Sequence, residues 1–278
     1  MLQLGKRQEL TVVKQLNFGI YLAEEERSLE KVLLPQKEVP ENTEIGAKID
    51  VFLYKDSKDR MIATRRAPIM ELGEVAELTV KEVGKIGAFL DWGLEKDLLL
   101  PFKEQTKKVR EKERVLVALY IDKSNRLCAT MKVYPYLCKN SPYKKDDHVE
   151  GIIYEISQEF GVFAAVDGKY SGLIPAREAD DRYRVGDRVE LRVTGVKPDG
   201  KLDLSGREKA YVQMDKDAKE VLKVIEEFEG ILPFNDKVSP ETIKREFGLS
   251  KNAFKRAVGR LLKQGRIEIT ENRIRKIK

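Results

Sequence analysis

Histidine is almost missing from this chain of 278 residues, which has only His148. A histidine-built metal site is therefore excluded. A Ser-His-Asp or Cys-His catalytic arrangement would have to run through that one ring, which lies in Asp146-Asp147-His148-Val149 and reads as a surface residue. Cysteine is scarce as well: Cys128 and Cys138 stand ten apart, lack the paired spacing of a zinc site, and are assigned no role. So few thiols fit a reducing compartment better than a disulfide scaffold. No apolar run reaches about 18 residues, so no spanning helix is expected. The polar start, Met1 to Glu9, has no signal-peptide core, and a cytoplasmic protein is expected. Phosphate loops of the Gly-x4-Gly-Lys-Ser/Thr type are absent, and the Asp180-Asp181 pair reads as loop solvation. No enzyme, cofactor or metal is expected.

What is present is charge and repetition. Charged residues make up 36% and hydrophobic ones 41%, enough apolar material for several small cores. Lys plus Arg is 53 against 47 Asp plus Glu, a net charge of +6, so any anionic partner must be sought in where the charge sits.

Three segments repeat one pattern. Phe18-Gly19-Ile20-Tyr21-Leu22, Ile86-Gly87-Ala88-Phe89-Leu90 and Phe160-Gly161-Val162-Phe163-Ala164 correspond, their glycines 68 and 74 residues apart. An alternating apolar run precedes each: Leu10 to Leu16, Val75 to Val83, Val149 to Ile156. An aliphatic stretch ending in Pro35, Pro101 or Pro175 follows. Then come alternating strands opened by Ile49, Val115 and Val189, a turn, and closing strands Arg60 to Thr64, Arg126 to Thr130 and Lys201 to Ser205. Period-2 alternation between turns predicts β-structure. Five strands this short bury a face and lose their long edges by closing into a Greek-key barrel of the OB type.

Parity sets Tyr21, Phe89 and Phe163 in one register, on the less apolar face. Rings clustered outside a small barrel suit base stacking, at about 1–3 kcal/mol per base. By parity Phe18 and Phe160 fall on the opposite face, unless the intervening glycine relaxes the rule through a bulge or turn. Matching turns put Arg60 and Arg126 at the start of the closing strand, with Lys201 in their place in the third unit. The stretch Met131 to Lys145, with Tyr134, Tyr136 and Tyr143, reads as a linker; its tyrosines either pack the barrels or meet bases.

Beyond Ser205 the period changes. Asp215 to Glu229 is amphipathic at helical spacing. Ser239-Pro240-Glu241 starts a second helix, ended by Gly248; Ser250 caps a third, Lys251 to Gln264, ended by Gly265. Arg266 to Thr270 and Arg273 to Ile277 pair around Glu271-Asn272. Three helices and a two-stranded wing make a winged helix. From Ser239 onward six lysines and six arginines face four acidic residues, a net +8, leaving −2 for the remainder. Lys251, Lys255, Arg256, Arg260 and Lys263 lie on the third helix, and Arg266, Arg273, Arg275, Lys276 and Lys278 on the wing. This is an electrostatic footprint for nucleic acid.

The fold class expected is multidomain and mainly β with an α+β C-terminus. The boundaries expected are barrels at 1–66, 67–132 and 146–208, a linker at 133–145 and a winged helix at 209–278.

The repeats resemble S1 RNA-binding domains, on Phe160-Gly161-Val162-Phe163, Ser171-Gly172-Leu173-Ile174-Pro175 and the segment from Val185-Gly186-Asp187 to Ser205. Three such units followed by a winged helix resemble the conserved virulence factor B family of bacterial RNA-binding regulators. The resemblance implies that Phe160 and Phe163 contact RNA, by extension Phe18, Tyr21 and Phe89, with Arg60 and Arg126 assisting. Proline stands where S1 domains often carry a histidine, and Ile86 replaces the first aromatic of the second unit, so contact is expected foremost in the third.

The function expected is sequence-tolerant binding of single-stranded RNA in post-transcriptional regulation. The partners expected are RNA and the ribosome or RNA-decay proteins, with no membrane, and the chain is expected to be a monomer. A winged-helix regulator of duplex DNA and a scaffold on RNA-processing machinery are the alternatives the residues leave open.

Overall fold

The computed structural model describes residues 1–207 and 210–277, with backbone alone at 210–213. The expected boundary at 208/209 and Lys278 lie outside the described residues. The chain forms two compact units, 1–206 and 207–278.

The first unit holds three five-stranded sheets. β1 (Arg7–Leu16), β2 (Gly19–Ala23), β3 (Val32–Pro35), β4 (Lys48–Lys55) and β5 (Met61–Thr64) close into a barrel in the order 1-2-3-5-4. β6 (Val75–Val83), β7 (Gly87–Asp91), β8 (Leu98–Pro101), β9 (Arg114–Ile121) and β10 (Leu127–Thr130) repeat that path, but β8 and β10 share no hydrogen-bonded ladder, so this barrel is nearly closed. β11 (His148–Ser157), β12 (Gly161–Val166), β13 (Tyr170–Pro175), β14 (Arg188–Val196) and β15 (Leu202–Ser205) close the third.

The alternation read from the sequence fills the interiors. Leu10, Val12, Ile20, Leu22, Leu34, Val51 and Leu53 form the first core. Leu78, Val80, Ala88, Leu90, Leu100, Val117 and Leu119 belong to the second, and Ile153, Val162, Ala164, Ile174, Leu191 and Val193 to the third. The first strand of each barrel shifts register at the same place, between Val12 and Lys14, Val80 and Glu82, Ile153 and Glu155. A bulge there bends the strand, which lets it pair with a neighbour on each side.

The repeated glycine has a steric cause. Gly19, Gly87 and Gly161 have φ of +149°, +156° and +119°, and a Cβ would lie 2.3, 2.2 and 2.0 Å from the carbonyl oxygens of Leu34, Leu100 and Ile174. Only glycine lets the second and third strands approach so closely.

The barrels pack on one another. Phe52 and Tyr54, on the outer face of β4, join the core of the second barrel, where Phe52 meets Trp92 edge-on at 5.8 Å. Between the second and third barrels, Leu116, Ala118, Ile152, Tyr154 and Ala165 bury Val133 and Leu137. The first residues of the segment expected as a linker are thus packed as a wedge, carrying a 3-10 turn at Tyr134–Tyr136. Arg188 reaches across this junction to Glu77, which also accepts from Arg114 at 3.1 Å.

The second unit packs α1 (Ala210–Glu227), α2 (Pro240–Phe247) and α3 (Lys251–Lys263) against a small sheet. Ser239 and Ser250 cap α2 and α3, accepting from the backbone N–H groups of Thr242 and Ala253. Gly248 ends α2 in the left-handed conformation. The wing has three strands rather than two: β16 (Ile231–Leu232) pairs with β18 (Ile274–Lys276), which pairs with β17 (Ile267–Ile269). Two residues are too short to show a period, so β16 has no signature in the sequence. Val221, Ile225, Ile243, Phe254, Val258, Ile267 and Ile274 form the core. Among the described residues no helix is long and apolar enough to cross a membrane.

Candidate nucleic-acid interface

Each barrel presents the same rim, where its second strand begins and its third ends. The residue before the repeated glycine is exposed there: Phe18 at 57%, Ile86 at 60% and Phe160 at 56%. Its carbonyl accepts from the residue after the repeated proline: from Gln36 at 3.0 Å, Phe102 at 3.4 Å and Ala176 at 3.0 Å. A positive-φ glycine directly follows, so strict parity does not govern these side chains.

One strand step inward, Tyr21, Phe89 and Phe163 lie outside the barrels but are half-buried. Phe163 is flanked by Tyr134 and Tyr154, with ring centroids at 6.4 and 6.1 Å. Burial pushes the Tyr154 phenol well above its usual range, so this ring stays neutral. Tyr134 is 46% exposed and lies under the Lys201 ammonium at 5.7 Å, a cation–π arrangement. Lys201 also pairs with Asp199 at 2.8 Å, and that contact foremost raises its pKa. Phe160, Phe163, Tyr134 and Lys201 therefore all belong to the third barrel or the wedge beside it. The even spacing of Tyr134 and Tyr136 in an expected linker does not by itself distinguish packing from display.

The other turn cations are engaged. Arg60 holds Asp56 of its own turn through two hydrogen bonds, at 2.7 and 3.0 Å. Arg126 pairs with Asp59 of the first barrel. Between these two barrels lies a cleft of about 190 Å³, lined by Tyr54, Ile86, Phe89, Trp92 and Arg126 among others. The Arg126–Asp59 pair is exposed on both sides, and pairs of this kind are worth about 0.2–1 kcal/mol.

On the second unit, the side of α3 away from the core carries Asn252, Lys255, Arg256, Gly259, Leu262 and Lys263, all exposed, and exposed Arg266 follows at its end. Lys251 is half-exposed in the first turn. Arg260 points elsewhere: it is bound to Asp215 of α1 at 2.5 Å. On the wing Arg273 is exposed, while Arg275 pairs with Glu268 at 2.7 Å and Lys276 with Glu226 at 2.6 Å. Among the described residues Lys251, Lys255, Arg256, Lys263, Arg266 and Arg273 take part in no ion pair.

Two further features go beyond the expected site: Phe102, exposed at 51%, and a pin repeated in all three barrels. Glu38 and Glu104 accept from the hydroxyls of Thr64 and Thr130 at 2.6 and 2.8 Å, and Glu178 accepts from Ser205. The pin had a signal, a glutamate three residues after each repeated proline. Phe102 had none, because Gln36 and Ala176 share nothing with it.

His148 is exposed at the start of β11. Among the described residues no group of three or more His, Cys, Asp or Glu is placed to hold a metal ion.

Rims bearing exposed rings on OB-type barrels, joined to a basic winged helix, define a protein built of nucleic-acid-binding modules, which are binding rather than catalytic domains. Family comparison agrees. S1 domain models match residues 4–66 and 72–132, an S1 RNA-binding domain model matches 143–207, and a CvfB-like winged helix domain model matches 219–275. The chain belongs to the conserved virulence factor B family: it is 30% identical to that protein of Staphylococcus haemolyticus over 88% of this chain and 85% of the relative. YitL of Bacillus subtilis is 29% identical over 95% of this chain and 90% of its own length. A crystal structure from Streptococcus pneumoniae, described as a multidomain protein with nucleic-acid-binding domains, shares the fold with a TM-score of 0.50 and 23% identity, over 99% of this chain and 98% of that one.

Proposed function

We propose that the protein binds single-stranded RNA with little sequence preference and acts in post-transcriptional regulation of gene expression. Bases stack on the barrel rims, and phosphates meet the unpaired cations of α3 and the wing. The observation that carries this reading is the pair Phe18 and Phe160, more than half exposed at equivalent rims where neither ring serves a core. A flat ring presented to water accepts any base on its π-face, which favours tolerance over sequence readout.

The test is anisotropy titration of a labelled oligouridylate with the full chain and with Phe18→Ala plus Phe160→Ala. A loss of about tenfold or more, with an unchanged melting curve, is the expected result. Unchanged affinity removes the stacking reading. Duplex DNA is the competing ligand, favoured by the cationic outer side of α3, the helix that a helix-turn-helix lays in the major groove. Competition of duplex DNA against the oligouridylate at fixed salt decides: the proposal requires the single strand to win.

A further inference from the structure

The second barrel looks deficient, with Ile86 where its neighbours have Phe18 and Phe160. Its rim nevertheless bears a ring. The backbone N–H of Phe102 donates to the carbonyl of Ile86, as Gln36 does to Phe18 and Ala176 to Phe160. These two positions are partners across one rung in each barrel. The first and third barrels carry the ring on one partner, and the second barrel carries it on the other. The exposures match: 51% for Phe102 against 57% and 56%.

We propose that Phe102 is the base-stacking residue of the second barrel, and that its ligand is an unpaired nucleobase of the same strand that engages Phe18 and Phe160. This rests on the reading of the rims given above. Three further observations support it. The ring opens the 3-10 turn Phe102–Glu104, whose ends are tied down: Gln105 donates to the Phe102 carbonyl at 3.2 Å and Met131 to the Glu104 carbonyl at 2.9 Å. Thr130 fixes the Glu104 side chain at 2.8 Å. A ring on so constrained a backbone loses little freedom on binding. Lys85 and Lys103 flank the rung, both exposed, and neither takes part in an ion pair among the described residues. An exposed cation adjacent in sequence to each rung partner suits a polyanion better than an apolar protein segment. Finally, Ile86 is exposed but has no ring, so Phe102 is the aromatic side chain of this rung.

The experiment titrates labelled oligouridylate with the full chain carrying Phe102→Ala, Phe102→Tyr, or Phe18→Ala plus Phe160→Ala, each checked by thermal melting. Phe102→Ala is expected to weaken binding about fivefold or more, and Phe102→Tyr to stay within about twofold of the parent, because the ring and not its identity stacks. If Phe18→Ala plus Phe160→Ala weakens binding and Phe102→Ala does not, this inference is overturned while the general reading stands. If Phe102→Tyr binds as poorly as Phe102→Ala, stacking at this position is overturned. If no variant changes affinity, the reading of the rims fails with it.

Discussion

A phenylalanine left half in water forgoes about 1 kcal/mol that full burial would have returned. Phe18, Phe102 and Phe160 all do so, at rims whose backbones are fixed by hydrogen bonds. Phe163 differs: with Tyr134 and Tyr154 against it, it offers a partial surface and already contributes to packing. Removing Phe163 therefore mixes a folding cost with any binding cost, and the rim rings are the cleaner probes. The cations sort the same way. Arg256 is exposed and outside any ion pair among the described residues, so Arg256→Ala is expected to lower the slope of log affinity against log salt by about 0.7, the value for one phosphate of a single strand no longer neutralised. Arg260, held by Asp215, is expected to change that slope less. The cysteines differ by environment too. Cys128 is buried, and burial foremost pushes its thiol up to about 11, whereas Cys138 is exposed. Ellman's reagent at neutral pH is expected to titrate Cys138 rapidly and Cys128 only after unfolding; prompt reaction of both would contradict the packing of β10.

At the scale of the element, two glycines make opposite predictions. A Cβ on Gly161 would meet the Ile174 carbonyl at 2.0 Å, and the φ of +119° is hostile to side chains. Gly161→Ala is expected to destabilise the third barrel by more than about 1 kcal/mol in denaturant unfolding. Gly259, within α3, has nothing within 4 Å of a Cβ. Gly259→Ala is expected to stabilise the second unit by about 0.5–1 kcal/mol through helix propensity alone. The strands and their register were legible in the sequence because one buried face forces a period of two, and Gly19, Gly87 and Gly161 phase the three copies. The caps of α2 and α3 were legible because Ser239 and Ser250 act through adjacent backbone. β16 was not, being two residues long. Nor was Phe102, because a rim contact is made by backbone and leaves the side chain unconstrained by the repeat.

At the scale of the molecule, the barrels of the first unit are joined by outward faces that alternation alone does not reveal. β4 is buried from Val51 to Tyr54 and β9 from Val115 to Leu119, inward residues filling their own barrel and outward ones meeting a neighbour. An unbroken apolar run was the available signal, since a strand covered on both faces has no polar side. β14, with Arg188, Glu190 and Arg192 alternating with apolar residues, shows the contrary pattern. Glu77, with its side chain 11% exposed, gathers Arg114 and Arg188 at the junction of the second and third barrels. Glu77→Ala is expected to cost about 1 kcal/mol, because both arginines remain partly in water, and to speed hydrogen exchange in the wedge around Val133 and Leu137. Barrels fixed in this way set the spacing between successive rims in advance, so a strand bound as proposed would not have to order them.

The most direct test of the account is photocrosslinking of a uridine-substituted single strand to the full chain, with the modified peptides located by mass spectrometry. The account predicts adducts at the three rims, on peptides containing Phe18, Phe102 and Phe160. Adducts confined to the winged helix, with all three rims unmodified, would contradict it.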